Sequence, residues 1–192
     1  MLPLLLASSS PYRRELLARL KLNFTYASPN IDESSHPGES ARHLAMRLAE
    51  AKARALAPNY PNHLIIGSDQ TASLDGQILG KSLTYERAHK QLSNASGKSV
   101  TFMTGLALLN TQTGTCQLDC VPFTVHFRTL ESDQIERYLN IEQPYDCAGS
   151  FKVEGLGITL FRSTEGEDVT SLIGLPLIRL TDLLLNEGVA VP

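Results

Sequence analysis

Scarcities narrow the reading of this 192-residue chain before any motif does. It has three cysteines, Cys116, Cys120 and Cys147, and an odd, sparse set does not build a disulfide framework. No cysteine or histidine spacing matches a zinc site; reduced thiols in a cytosolic setting are the expectation. Positive charge is not in excess: 17 Lys and Arg face 20 Asp and Glu, a formal net charge of -3. That excludes a broad nucleic-acid-binding surface, which needs clustered basic excess. Phosphate chemistry here would have to use a few cations focused on one place. Long apolar runs are missing too. Met1 to Ala7 is apolar but too short to span a bilayer, lacks a positive n-region and leads straight into arginines, so it reads neither as a span nor as a signal peptide. Neither nucleic acid nor membrane is therefore expected as a partner, and the cytoplasm is the expected location. Internal repeats, low-complexity segments and coiled-coil heptads are absent as well. What remains is a chain with 42% hydrophobic and 19% charged residues, enough for a full core and one domain over residues 1–192, with two lobes.

The most informative stretch is Leu4-Leu5-Leu6-Ala7-Ser8-Ser9-Ser10-Pro11-Tyr12-Arg13-Arg14-Glu15-Leu16-Leu17. An apolar strand stops at Ala7, Ser10 fits a helix N-cap, and Pro11 fits the first helical position. Arg13 and Arg14 then fall in the first turn, where the helix dipole disfavours cations. An anion held at the helix start by backbone N–H groups, serine hydroxyls and an arginine fork would explain them. A capped helix with two solvated arginines would explain them equally.

Further along, a second strand is expected over Leu22 to Ala27. A breaker-rich loop follows and displays Asp32 and Glu33. Ser40 caps a helix over about Ala41 to Ala57, with Leu44, Leu48, Ala51 and Ala55 on its buried side. Lys52 borders that stripe, either facing a cleft or snorkelling. An aliphatic strand from His63 ends in Gly67-Ser68-Asp69, where open α/β sheets collect ligands. Asp69 is unusual for a strand; Thr71 to Leu74 continues extended, and Asp75-Gly76 already supplies the hairpin turn. Gly80-Lys81 follows the return strand. Thr84 caps a helix to about Leu92. Ser99 to Asn110 and Thr115 to Arg128 form a hairpin, whose return strand alternates Val121, Phe123, Val125 and Phe127 with polar residues and carries Pro122 as an edge or bulge marker. Ser132 caps a short helix. Ala148-Gly149-Ser150 through Gly155-Leu156-Gly157 is glycine-rich without being a P-loop or a Rossmann fingerprint. Asp168 to Leu172 makes one helical turn, and Pro176 opens a final helix to Asn186.

These motifs, in this order and over nearly the whole chain, resemble the Maf family of nucleotide pyrophosphatases: the serine-proline-arginine turn, Asp32-Glu33, Lys52 followed by alanine, Gly67-Ser68-Asp69, Gly80-Lys81, Ala148-Gly149-Ser150 to Gly157, and the closing Gly174-Leu175-Pro176-Leu177. Within the family the chain is most similar to the YceF-like branch, associated with 7-methyl-GTP pyrophosphatase activity. The resemblance implies an elongated α/β fold of the Maf/Ham1-like (inosine triphosphate pyrophosphatase-like) kind. That fold has a mixed, bent central sheet flanked by helices and an active-site cleft between two lobes. It implies hydrolysis of a nucleoside triphosphate between its α and β phosphates with a divalent metal cation, Mg²⁺ or Mn²⁺, and an association with septum formation. By the same resemblance Asp69 is the proton acceptor and a metal ligand with Glu33, while Ser8, Arg13, Lys52 and Lys81 contact the triphosphate. A homodimer is compatible with this reading.

Three positions depart from the branch that hydrolyses dTTP and UTP. There arginine, threonine and glutamine are usual; here they are Tyr12, Gln70 and Glu154. A 7-methylguanine base is cationic and offers two donors on one edge, which a carboxylate accepts together. An aromatic ring can stack on such a base. Glu154 is thus expected to read the guanine edge and Tyr12 to stack. A broader Maf-type pyrophosphatase and a nucleotide-sensing division regulator with little turnover are the competing readings.

Overall fold

A computed structural model describes residues 2–191. Seven strands and six helices are assigned along the described chain: β1 Leu4–Ala7, α1 Pro11–Ala18, β2 Phe24–Ala27, α2 Ala41–Leu56, β3 Leu64–Leu74, β4 Gln77–Leu79, α3 Tyr85–Ala95, β5 Ser99–Asn110, β6 Cys116–Phe127, α4 Ser132–Glu142, β7 Phe161–Glu165, α5 Val169–Ile173 and α6 Leu177–Asn186. The strands make one mixed, open sheet in the order β2-β1-β3-β5-β6-β7, with β4 paired to β3. β1 runs parallel to both β2 and β3, whereas the β3–β4 and β6–β7 pairs are antiparallel. The chain divides into two compact units. One comprises the segments up to Gln70, Thr104–Val121, and from Asp168 onward; the other comprises Thr71–Met103 and Pro122–Glu167.

The first unit is layered, as strand alternation requires. Leu4, Leu6, Leu64, Ile66, Leu106 and Leu108 face α1 and α6 through Leu16, Leu17, Leu180, Leu183 and Leu184. Leu5, Ala7, Ile65, Ala107 and Leu109 face α2 through Ala49, Ala53 and Leu56. From β1 the chain goes out to β2, then returns past β1 to β3, with α1 and α2 on opposite faces. The strand order therefore reverses between β1 and β3, the kind of position where open α/β sheets bind ligands. Two glycines let α2 approach closely. A Cβ on Gly67 would lie 2.1 Å from the Ala49 carbonyl oxygen, and one on Gly105 would lie 2.1 Å from that of Ala45.

The second unit is built on aromatic packing. Phe102, Phe127, Phe151 and Phe161 meet edge to face with ring centroids 4.8–5.6 Å apart, the geometry that the ring quadrupoles favour. Helices α3 and α4 pack together, and Lys81 bridges Ala148 in antiparallel fashion.

Local expectations are met at Ser10, Ser40 and Thr84, whose side chains accept the N–H three residues on. The Asp75-Gly76 turn has φ of 51° and 79°, the all-positive pattern of a type I′ hairpin. Four details differ. β2 begins at Phe24 instead of Leu22. α2 buries Ala45, Ala49 and Ala53 beside Leu44 and Leu48, whereas Ala51 is half-buried and Ala55 is exposed. Ser132 is the first residue of α4, not its cap, and Glu131 takes the N-cap position. Strand β7 had no sequence signal, since only Phe161 of its five residues is buried and the pairing with β6 is what makes it extended.

Candidate active site

The turn after β1 is built by its own serines. Ser8 is 4% exposed, and its hydroxyl oxygen accepts from the Ser10 N–H at 3.1 Å, which leaves the hydroxyl proton for another acceptor. The Ser10 hydroxyl caps α1 at the Arg13 N–H. Most of the N–H groups expected to meet an anion are thereby used within the turn: those of Ser8, Ser10, Arg13 and Arg14 all donate locally. Among the described residues, those of Ser9 and Tyr12 keep no partner.

The two arginines diverge. Arg13 is half-buried, and its Nε donates to the Gly174 carbonyl at 2.8 Å, which anchors the guanidinium from one edge. Burial lowers its pKa, against the fields of Asp69 and Glu33, which raise it. Arg14 instead stacks on the Tyr26 ring, 4.4 Å from its centroid. Tyr12, next to Arg13 on α1, is 40% exposed.

The centre of the arrangement is a charge cluster assembled from three elements. Lys52 reaches from α2 and places Nζ 2.6 Å from Asp69 Oδ1 and 2.8 Å from Glu33 Oε1. Lys52 and Asp69 are both buried, whereas Glu33 comes from an exposed loop. The register explains why Asp69 is there. β1 ends where Ala7 pairs with Gly67, so Asp69 lies two residues beyond the last parallel partner. Alternation turns it to the α2 face with Ile65 and Gly67. Burial pushes the Asp69 carboxyl above its ordinary range, although Lys52 and Arg13 pull the other way; Glu33 adds to the rise. The rise that burial imposes makes the Asp69 carboxylate a better proton acceptor than a solvated aspartate, and Lys52 and Arg13 moderate that gain. The Glu33 loop is itself tied down. Arg47 binds the Glu39 carboxylate with two nitrogens, at 2.7 and 2.8 Å, and also the Ser34 carbonyl, while Asp32 accepts from the Ser34 N–H and hydroxyl.

Gln70 and Ser68 point to the opposite face. Gln70 Nε2 donates to the Ser171 and Leu172 carbonyls at 2.8 and 3.0 Å, with Thr104 Oγ1 at 3.2 Å. Ser68 Oγ lies 2.9 Å from both the Gly105 and Gly174 carbonyls. Gly174 therefore joins this buried network to Arg13. It ends α5 with φ 119°, a conformation suited to glycine. Sequence reasoning noted the Gly174-Leu175-Pro176 motif without a role for it. No local pattern marks a carbonyl 161 residues away as the anchor of an arginine.

Lys81 and Glu154 belong to the second unit. Both are exposed. Partial desolvation, with help from nearby Glu142, raises the Glu154 carboxyl. Glycines in the loop around it serve the loop's own packing: a Cβ on Gly157 would strike the Lys152 carbonyl at 2.3 Å, and one on Gly155 the Glu142 carboxylate at 2.5 Å.

For a divalent metal the donor chemistry fits. Glu33 and Asp69 offer hard carboxylate oxygens beside one ammonium, and Mg²⁺ commonly takes one or two carboxylates and completes its shell with water and substrate phosphates. Among the described residues no group of three or more His, Cys, Asp and Glu gathers as an all-protein cage, and no helix is long and apolar enough to cross a membrane.

Several known proteins are similar over the whole chain. A 7-methyl-GTP pyrophosphatase of Pseudomonas fluorescens (strain Pf-5) is 71% identical over 192 residues, 100% of both chains. One from Pseudomonas aeruginosa is 67% identical over 189 residues, 98% of each. One from Alcanivorax borkumensis is 61% identical over 189 residues, 98% of this chain and 96% of that one. Among solved structures, a HAM1 protein from Coxiella burnetii aligns with 66% of this chain and 73% of its own at a TM-score of 0.46 and 20% identity. Residues 3–187 match the family described as Maf-like protein. On that match and those identities, the chain belongs to the Maf-like family.

Proposed function

We propose that this chain is a nucleoside triphosphate pyrophosphatase that hydrolyses 7-methyl-GTP to 7-methyl-GMP and pyrophosphate. The observation that carries the reading is the buried Asp69 carboxylate held against Lys52 at the strand-order reversal, beside Glu33 and in the field of Arg13. The family and the names of the full-length relatives support the reaction class and the substrate.

Water attacks the α phosphorus, the bond from that phosphorus to the bridging oxygen breaks, and pyrophosphate leaves. Asp69 accepts the proton of the attacking water, which requires it ionised and within hydrogen-bond reach. Ser8, Arg13, Lys52 and Lys81 bind phosphate oxygens. Charge developing on the leaving pyrophosphate is stabilised by cations already in place. Glu33 and Asp69 would hold Mg²⁺ or Mn²⁺, which when bound supplies further neutralisation of the phosphates. Tyr12 stacks on the cationic base and Glu154 accepts from the guanine edge. Gln70 acts on selectivity through the α5 carbonyls it binds. The role is removal of modified nucleotides, with the family's link to septum formation carried over as part of the proposal.

Pyrophosphate release from 7-methyl-GTP, GTP and UTP, measured with Mg²⁺, tests this. The wild type is expected to prefer 7-methyl-GTP, and Asp69→Asn to lose about 10²–10⁴-fold, the range for a general base. Glu154→Gln is expected to reduce the preference for the methylated base. Tight binding without turnover in the wild type would replace the enzyme with a sensor. An unchanged preference order in Glu154→Gln would remove that residue as the reader.

A further inference from the structure

The second unit holds a cavity of about 350 Å³ lined by Gly80, Lys81, Ser82, Arg87, Lys90, Gln91 and Asn94. Its charge is one-sided. Three cations border it and no carboxylate does. Among the described residues, none of Lys81, Arg87 and Lys90 forms an ion pair, in a chain where Arg47, Lys52, Arg54, Lys98, Arg137 and Arg179 all do. Arg87, Lys90, Gln91 and Asn94 recur at i, i+3, i+4 and i+7, so α3 presents them on one stripe. Arg87 stands in the first turn, where the helix dipole works against a cation. Glu86, its neighbour in sequence, forms no ion pair with it.

The wall of the cavity is fixed. Gln91 Nε2 donates to the Gly80 carbonyl at 3.0 Å, and Gln91 Oε1 accepts from the Ser150 hydroxyl at 2.5 Å, which ties α3 to the strand end and to the glycine-rich loop. Ser82 is 1% exposed, and its hydroxyl is buried with no hydrogen-bond partner. Buried polar groups are normally satisfied. Ser82 lines the cavity together with the three unpaired cations, and its buried hydroxyl has a proton with no acceptor within the chain.

We propose that this cavity binds a pyrophosphate group, two linked phosphates carried either as the free anion or at the end of a nucleotide. One phosphate brings a charge of about −1.5 to −2 near neutral pH, too little to balance three cations; a second linked phosphate uses the remainder. The volume lies at the small end of ligand pockets, which suits a compact polar anion without its nucleoside. The inference rests on the proposed reading for Lys81 alone as a phosphate ligand. Arg87, Lys90 and Ser82 are new to it.

The test is a metal-free NMR titration of the full chain, with inorganic pyrophosphate in one arm and GTP in the other. Saturable shifts are expected at the Gln91 side-chain amide, the Arg87 Nε–H and the Ser82 amide. Arg87→Gln/Lys90→Gln, which alters only exposed side chains, is expected to weaken binding tenfold or more. Ser82→Ala is expected to weaken it several-fold while leaving the melting temperature unchanged or higher, because a hydroxyl without a partner is removed. Shifts from pyrophosphate alone assign the free anion, shifts from GTP alone a nucleotide-borne tail, and shifts from both a site that reads the tail whatever its source. Absence of saturable shifts in both arms overturns the proposal, as does equal affinity in the double variant. Turnover of 7-methyl-GTP with Mg²⁺, assayed in parallel, tests the pyrophosphatase reading separately: turnover without cavity shifts sinks only the cavity, and cavity shifts without turnover sink only the enzyme.

Discussion

Asp69 is the residue whose titration the proposed chemistry depends on. Its carboxyl is raised by burial, and Lys52 and Arg13 oppose the rise. The base must be ionised, so kcat/KM falls as pH drops through this pKa, at a pH above the ordinary aspartate value of about 3.9. Lys52→Met removes a group that lowers the pKa. It is therefore expected to move the acid limb further up as well as lower the rate, and a pH–rate profile of the two proteins checks the direction. At Gly174 the backbone is the constraint: the φ of 119° disfavours any side chain, although an added Cβ would make only an ordinary contact with Arg13 Nε. Gly174→Ala is expected to cost on the order of 1–3 kcal/mol through backbone strain and, by shifting the carbonyl that Arg13 Nε binds, to loosen Arg13. The measurable outcome is a rise in KM for the triphosphate in protein that still melts cooperatively.

At the scale of elements, α2 delivers the lysine and the sheet decides how close α2 comes. The alanine side of the helix, Ala45, Ala49 and Ala53, lies on the sheet where Gly67 and Gly105 leave room. Gly67→Ala would bring a methyl group into the Ala49 carbonyl and push the helix outward. Overpacking of this kind costs roughly 1–3 kcal/mol, and the helix that moves carries Lys52. Thermal denaturation and pyrophosphate release are expected to fall together. Gly76→Ala provides a contrast: its Cβ would meet nothing within 4 Å, so the strain of its positive φ should lower the melting temperature without affecting turnover.

At the scale of the molecule, a net charge of -3 gives no general attraction for a polyanion, so any affinity for phosphate is local. A non-hydrolysable triphosphate analogue at one hundred times its Kd is expected to stabilise the fold by about 2.7 kcal/mol through linkage, read as an upward shift in melting temperature. The shift is expected to shrink in Arg13→Gln.

Much of the architecture was legible without coordinates. Ser10 with Pro11, Ser40 and Thr84 announce helix starts because capping is a bond between residues three apart. Asp75-Gly76 announces its hairpin because only residues tolerant of positive φ fit that turn. The alternation in β6 is visible because its faces differ in burial. Asp69 was visible as a residue type out of place on a strand, whereas Glu33 and Lys52, ordinary on a loop and a helix, were singled out by the family resemblance. Local order along the chain is thus what the sequence by itself determined, since caps, turns and alternation are interactions between near neighbours. Only the tertiary structure decided that Lys52 bridges Asp69 and Glu33, that Gln70 binds the α5 carbonyls, and that Gly174 anchors Arg13. Those pairings join segments far apart in sequence, and they exist only once β1, β3 and the helices on both faces have packed into register.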